Sequence, residues 1–220
     1  MIKALTDEPF RQSLRQHAPV QAAEFSWDKT AQRALRAIEE RVGQRHMHPT
    51  AKHYVGAAVG RPRLAMVSPL PPERTGIADY VSELLPTLGE TYDITVISDQ
   101  AEVWPAATGE RFAVKSVEWF EANAVSFERI VYQVGNSPFH AHMLDLMRRH
   151  PGVIVLHDFF LSSMMLWMEQ TGYRQNAMKR ELVRSHGYGA LEYLSREGWL
   201  ATKFRWPCSY DVVSNALGII

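Results

Sequence analysis

The chain contains a single cysteine, Cys208, among its 220 residues. One thiol forms no internal disulfide, and this scarcity fits a reducing, cytoplasmic compartment. Long hydrophobic runs are missing too: no stretch is apolar for 18 residues, so nothing reads as a membrane-spanning helix. The opening MIKALTDEPF carries acid early and has no apolar core, so it does not read as a signal peptide. An excess of either charge is absent, with Lys+Arg and Asp+Glu at 24 each. A nucleic-acid binder would show a basic excess, so nucleic acid is not expected as a partner. Neither GxGxxG nor GxxxxGK[ST] follows the first strand. That counts against a nicotinamide or flavin dinucleotide and against a P-loop.

Apolar residues make up 46% and charged residues 22%, which excludes wholesale disorder. The neutral total hides an asymmetry. Residues 1–61 hold 10 basic and 6 acidic residues, whereas residues 62–220 hold 14 and 18. Three zones follow. Residues 1–42 read as two helices. Thr6 caps the first, with Asp7, Glu8 and Pro9 in its first turn and Phe10 and Leu14 on one face. The second follows Ser26, with Trp27, Ala31, Ala34, Leu35 and Ile38 at helical spacing. Residues 43–61 read as a linker, broken by three glycines and a proline.

Residues 62–220 alternate strand and helix. Strands are expected at Leu64–Ser68, Ile94–Ile97, Phe112–Val114, Ile130–Val134 and Val153–Leu156, with another beginning at 217–220. A helix opens at Thr75, carries Val81, Leu84, Leu85 and Leu88 on one face, and stops at Gly89. A second opens at Ser137-Pro138 and buries Phe139, Met143, Leu146 and Met147. Helices fill 159–216, including a buried one over Phe159–Met168 and a corner at His186-Gly187-Tyr188-Gly189. Apolar strands alternating with amphipathic helices imply a doubly wound parallel sheet covered on both faces. Ligands in such folds bind beyond the carboxyl ends of the strands.

The residues just after the strands are therefore the candidates. Thr75 and Gly76 open a helix whose backbone N–H groups and dipole suit a phosphate; alternatively the glycine only gives the turn backbone freedom. Gly135 and Asn136 follow the fourth strand, where glycine permits close approach and Ser137 caps. His157 and Asp158 follow the fifth. A histidine there serves as donor or acid/base with the carboxylate tuning it, or is simply satisfied by backbone carbonyls. His46-x-His48 and His140-x-His142 lack completing ligands, so no metal is expected.

RPRLAMVSPLPPERTGIADYVSELLPTL followed by YDITVISD strongly resembles the start of family 4 glycosyltransferases, retaining enzymes of the GT-B class. YQVGNSPFHAHMLDLMRRHPGVIVLHDFFL and SHGYGA resemble the family's bacterial, polysaccharide-building branch. The resemblance implies a Rossmann-like domain at 62–220, the amino-terminal half of a GT-B fold, facing a second domain across the active cleft. It implies sugar transfer with retention from a nucleotide-sugar to a glycan or lipid-linked acceptor, with no cofactor or metal, and it leaves a membrane surface open as a partner. Thr75 and Gly76 fall where the family's turn approaches the donor diphosphate, with Thr-Gly replacing its usual pair of glycines. His157 matches the histidine that reaches the donor sugar, followed by Asp158; Gly135 and Asn136 match a cleft-lining turn. The family's paired-glutamate motif and basic diphosphate site cannot be placed in this sequence, so the donor-binding domain is expected to be missing from it.

LTDEPFRQSLRQHAPVQAAEFSWDKTAQRALRAIEE resembles the carboxy-terminal tail of the same family, including its aromatic-Ser-Trp element at Phe25-Ser26-Trp27. That implies a tandem arrangement, the end of one module joined to the first domain of the next. A helical prefix packing on its own domain is the competing expectation. Cleavage within 43–61 should leave 62–220 folded, and loss of folding would count against separate modules. The leading functional expectation is the acceptor-side domain of a transferase; the alternative is a non-catalytic glycan- or protein-binding domain derived from one.

Overall fold

The computed structural model describes residues 7–24, 60–109 and 111–220. The chain divides into two units, Met1–Val55 and Gly56–Ile220. In the first, α1 (Glu8–Glu24) starts where Asp7 Oδ1 accepts the Phe10 N–H at 3.0 Å. Asp7 thus satisfies one of the first-turn donors. The expected cap Thr6, the helix after Ser26, Phe25-Ser26-Trp27 and His46-x-His48 lie outside the described residues.

In the second unit, β1 (Arg63–Val67) is apolar on both faces because helices cover both. Leu64 and Met66 join one core with Val81, Leu85, Ile94 and Val96. Ala65 and Val67 join the other with Phe120, Tyr132, Leu144 and Ile154. This alternation is the strand's period of two, read twice over in a buried parallel sheet. α2 (Gly76–Leu88) follows, capped by Thr75, whose Oγ1 accepts the Ala78 N–H at 2.9 Å, and ended at Gly89. β2 (Asp93–Ile97), the short α3 (Pro105–Thr108) and β3 (Ala113–Lys115) come next. α4 (Val117–Asn123) leads to β4 (Arg129–Val134), and α5 (Met143–Arg149) to β5 (Val153–Leu156). α6 (Ser162–Gln170), α7 (Ala177–His186), α8 (Tyr188–Arg205) and α9 (Tyr210–Asn215) precede β6 (Gly218–Ile219).

All six strands are parallel, in the order β3-β2-β1-β4-β5-β6. That is the order of Rossmann-like folds, as the alternation of strand and helix led one to expect. Among the described residues no helix is long and apolar enough to cross a membrane.

Three local expectations need correction. The helix expected from Ser137-Pro138 begins only at Met143. A 3-10 turn at Pro138–His140 precedes it, and the Ser137 hydroxyl makes no capping bond. Phe139, expected on the buried face, is in consequence 38% exposed. The buried helix expected over Phe159–Met168 begins at Ser162, because the Leu161 N–H donates to the Pro207 carbonyl at 2.7 Å and holds the preceding residues off helical geometry. Phe159 and Phe160 are left exposed. α4 was not anticipated; seven residues with one buried side chain, Phe120, give too weak a period to read. The corner after His186 is present, with Gly187 at φ 77°.

A buried ionic cluster ties the carboxy-terminal helices together. Asp211 on α9 pairs with Arg148 of α5 and with Arg184 of α7 (2.7 Å). Glu181 accepts the Asp211 N–H at 2.9 Å. Buried carboxylates persist when charge and hydrogen bonds compensate their lost hydration, as they do here.

Candidate functional site

The connections leave β1 in opposite directions, toward β2 and β3 on one side and β4 to β6 on the other. This reversal opens a crevice at the carboxyl ends of β1 and β4. The turns after β1, β4 and β5 meet there.

Gly135, after β4, shows how tightly they meet. A Cβ at this position would collide with Ile77 Cδ1 on α2 and would lie 3.0 Å from His140 Nε2 and 3.3 Å from Asp158 Oδ2. Only glycine leaves room for all three. Gly135→Ala should displace Ile77 and destabilise the domain by about 1–2 kcal/mol, the usual cost of overpacking, with a matching fall in the urea midpoint. An unchanged midpoint would mean the Ile77 side chain swings away freely.

Asn136 works inside the protein. Its N–H donates to Asp158 Oδ2 and its Oδ1 accepts the Met164 N–H, both at 2.9 Å. The second bond serves a first-turn donor of α6, whose own cap-position residue, Leu161, makes no side-chain cap. Asn136 therefore locks the β4 and β5 turns to α6 and fixes Asp158.

His157 is exposed at the end of β5. Its N–H donates to the Val134 carbonyl (2.9 Å), and its ring meets Tyr80 of α2 edge-on at 5.2 Å. Nε2 lies 2.7 Å from Gln133 Oε1. The Gln133 Nε2 contacts Met66 Sδ at 3.3 Å, which leaves Oε1 as the acceptor toward the ring. The imidazole then carries its proton on Nε2 and presents Nδ1 as a lone pair. Lost hydration lowers the His157 pKa, opposed by the Asp158 carboxylate, so the ring is neutral at pH 7.

Gln133 is the residue sequence reasoning passed over. It is fully buried in a strand of otherwise apolar residues, IVYQV, and that one polar break was the available signal. His140 is also buried. Lost hydration pushes its pKa down to about 4, opposed by a hydrogen bond to the Gln133 backbone, and its Nδ1 has no partner among the described residues.

The expectation that Gly76 supplies backbone freedom is not met. Gly76 has no positive φ and sits in open space, with no atom within 4 Å of a built Cβ. Its face is bare toward an open cleft of about 520 Å³. Arg74, Thr75, Trp104, Glu73 and Asp79 also line that cleft. One cation faces two carboxylates, so an anion there depends on Arg74 and on the free first-turn N–H groups of α2. A second cleft, of about 310 Å³, lies beside it over the ends of β1 and β2, and Glu73 lines both. His157 lines neither.

Cys208 is buried and its pKa is pushed up to about 12, so it carries no thiolate chemistry. Among the described residues no group of three or more His, Cys, Asp or Glu side chains is placed to hold a metal ion.

These features define a Rossmann-like α/β domain with open clefts at the carboxyl edge of its sheet. No family model, curated protein or solved structure matches the chain.

Proposed function

We propose that the chain forms the acceptor-side lobe of a retaining glycosyltransferase resembling family 4. It would transfer a hexose from a nucleotide-sugar to a glycan or lipid-linked acceptor. The reading rests on the residues that carry the resemblance. It is supported by one observation: α2, whose open start is at Gly76, also carries Ile77 against Gly135 and Tyr80 against the exposed, neutral ring of His157. In this reading the donor diphosphate approaches the bare face of Gly76, and a second lobe holds the nucleotide. The bond from the anomeric carbon to the diphosphate breaks while the acceptor oxygen bonds to that carbon on the same face. The acceptor's proton passes to the departing phosphate oxygen. The chain contributes orientation and electrostatics: Nδ1 of His157 accepts a sugar hydroxyl, and the α2 N–H groups with Arg74 receive developing phosphate charge.

Gly76→Ala tests it. The position has ordinary helical geometry and open space, so the variant should fold with an unchanged or slightly higher Tm. The added methyl would stand where the diphosphate must come close. In the enzyme as encoded, KM for the nucleotide-sugar should rise roughly tenfold, the equivalent of about 1.4 kcal/mol. Unaltered kinetics would remove the donor from this turn.

The position of His157 outside both clefts favours a second reading, a non-catalytic glycan-binding domain. Turnover dependent on His157 would exclude it.

A further inference from the structure

The 310 Å³ cleft over β1 and β2 has a lining unlike that of its neighbour. It combines three aromatic side chains, Phe139, Trp167 and Tyr173, with Asp99, Glu73 and His142. No lysine or arginine lines it. The Trp167 and Tyr173 rings lie 5.4 Å apart at 41°, forming a fixed aromatic corner. Asp99 is 59% exposed in its side chain, with His142 Nδ1 at 3.8 Å. The loop that carries Asp99 is held in place. Gln100 grips the Leu70 backbone, accepting from its N–H and donating to its carbonyl, both at 2.7 Å. The β2 turn is thereby tied to the β1 turn, and the carboxylate is positioned before any ligand arrives.

We propose that this cleft is a subsite for an uncharged sugar ring. A pyranose has a face of C–H groups and a rim of hydroxyls. Aromatic rings take the face and carboxylates accept from the rim through charge-assisted hydrogen bonds. A wholly apolar ligand would strip water from Asp99 and Glu73 and return no hydrogen bond to them, which binding sites penalise. An anionic sugar would meet two carboxylates with no balancing cation. The cleft volume is at the lower end of the range of about 300–1,000 Å³ typical of small-molecule sites, which fits one ring of a longer glycan. Because Glu73 lines both clefts, a sugar here borders a group held at the start of α2. Its identity as the acceptor rests on the function proposed above; its binding does not.

Saturation-transfer NMR on the 220-residue chain tests this, with methyl glycosides of glucose, galactose, mannose and N-acetylglucosamine as neutral probes and methyl glucuronide as the anionic one. At least one neutral glycoside should receive saturation, and the glucuronide should receive none. Asp99→Asn should weaken the neutral glycoside roughly tenfold, the loss expected for a charge-assisted bond, and should admit the glucuronide. Tyr173→Ala, at a half-exposed position, should weaken it as well. Trp167→Phe keeps an aromatic face and should retain binding, where Trp167→Ala should lose it. No binding by any neutral probe, binding indifferent to Asp99 and Tyr173, or preference for the glucuronide would overturn the proposal. UDP and GDP, titrated separately, report on the α2 cleft. Nucleotide binding without neutral-sugar binding sinks this inference and spares the transferase reading. Neutral-sugar binding by a chain whose encoded enzyme transfers nothing does the reverse.

Discussion

His157→Ala should lower turnover by about 10²–10³-fold under the proposed transferase reading, the range for removing one preorganised electrostatic group. Its Tm should fall by a few degrees at most, because the side chain is exposed and water can reach the Gln133 Oε1 that it leaves. Gln133→Leu supplies the discriminating partner. That change removes the acceptor that fixes the imidazole proton on Nε2 and frees the ring to adopt the other tautomer. Turnover should fall by a smaller factor, and the acid limb of its pH profile should move. Wild-type-like turnover in His157→Ala would refute the catalytic assignment, and an unmoved pH profile in Gln133→Leu would refute the positioning role of the amide.

Acidification should destabilise the domain, and His140 should be a principal cause. Its pKa is pushed from 6.5 to about 4 in the folded state, chiefly by burial. The unfolded chain therefore binds this proton more readily than the native one. Stability is complete above about pH 6.5, declines as the pH falls through the interval to about 4, and levels off below it. The full loss is about 3 kcal/mol for this group. His142, His157 and His186 are also lowered by lost hydration and act in the same direction. The comparison that isolates His140 is therefore the slope of urea-unfolding free energy against pH in wild type and in His140→Gln. The variant should lose about half or more of the dependence between pH 6.5 and 4.5. Equal slopes would mean that His140 titrates normally.

The strands were legible because a parallel sheet buried on both faces leaves an unmistakable mark, a run of apolar residues closed by turn formers. Val153–Leu156 reads directly, and Arg63–Val67, Asp93–Ile97 and Arg129–Val134 are displaced by one residue at most from the expected limits. α2 was readable from both ends, since Thr75 caps and Gly89 closes it through local bonds. Where bonding is not local, the reading failed. Ser137-Pro138 has the residues of a helix start, yet the chain makes a 3-10 turn first. Phe159 and Phe160 belong by composition to a buried helix, yet a bond from Leu161 to Pro207, far along the chain, holds them outside it.

The site divides the same way. Sequence position placed Thr75, Gly76, Gly135, Asn136, His157 and Asp158 at strand ends, because in a parallel sheet every such turn emerges on one edge. It did not assign their work. Asn136 looked like a ligand contact, but its side-chain oxygen is spent on α6. Gln133 looked like an ordinary strand residue, but it fixes the histidine's proton.

The order of apolar and turn-forming residues, by itself, determined a parallel α/β layer and the edge at which chemistry could occur, since both follow from local periodicity and burial. Only the tertiary structure decided which groups on that edge face each other, which hydrogen bonds they have already committed, and that two clefts adjoin at Glu73. Those are relations between residues tens of positions apart, and no short-range pattern encodes them.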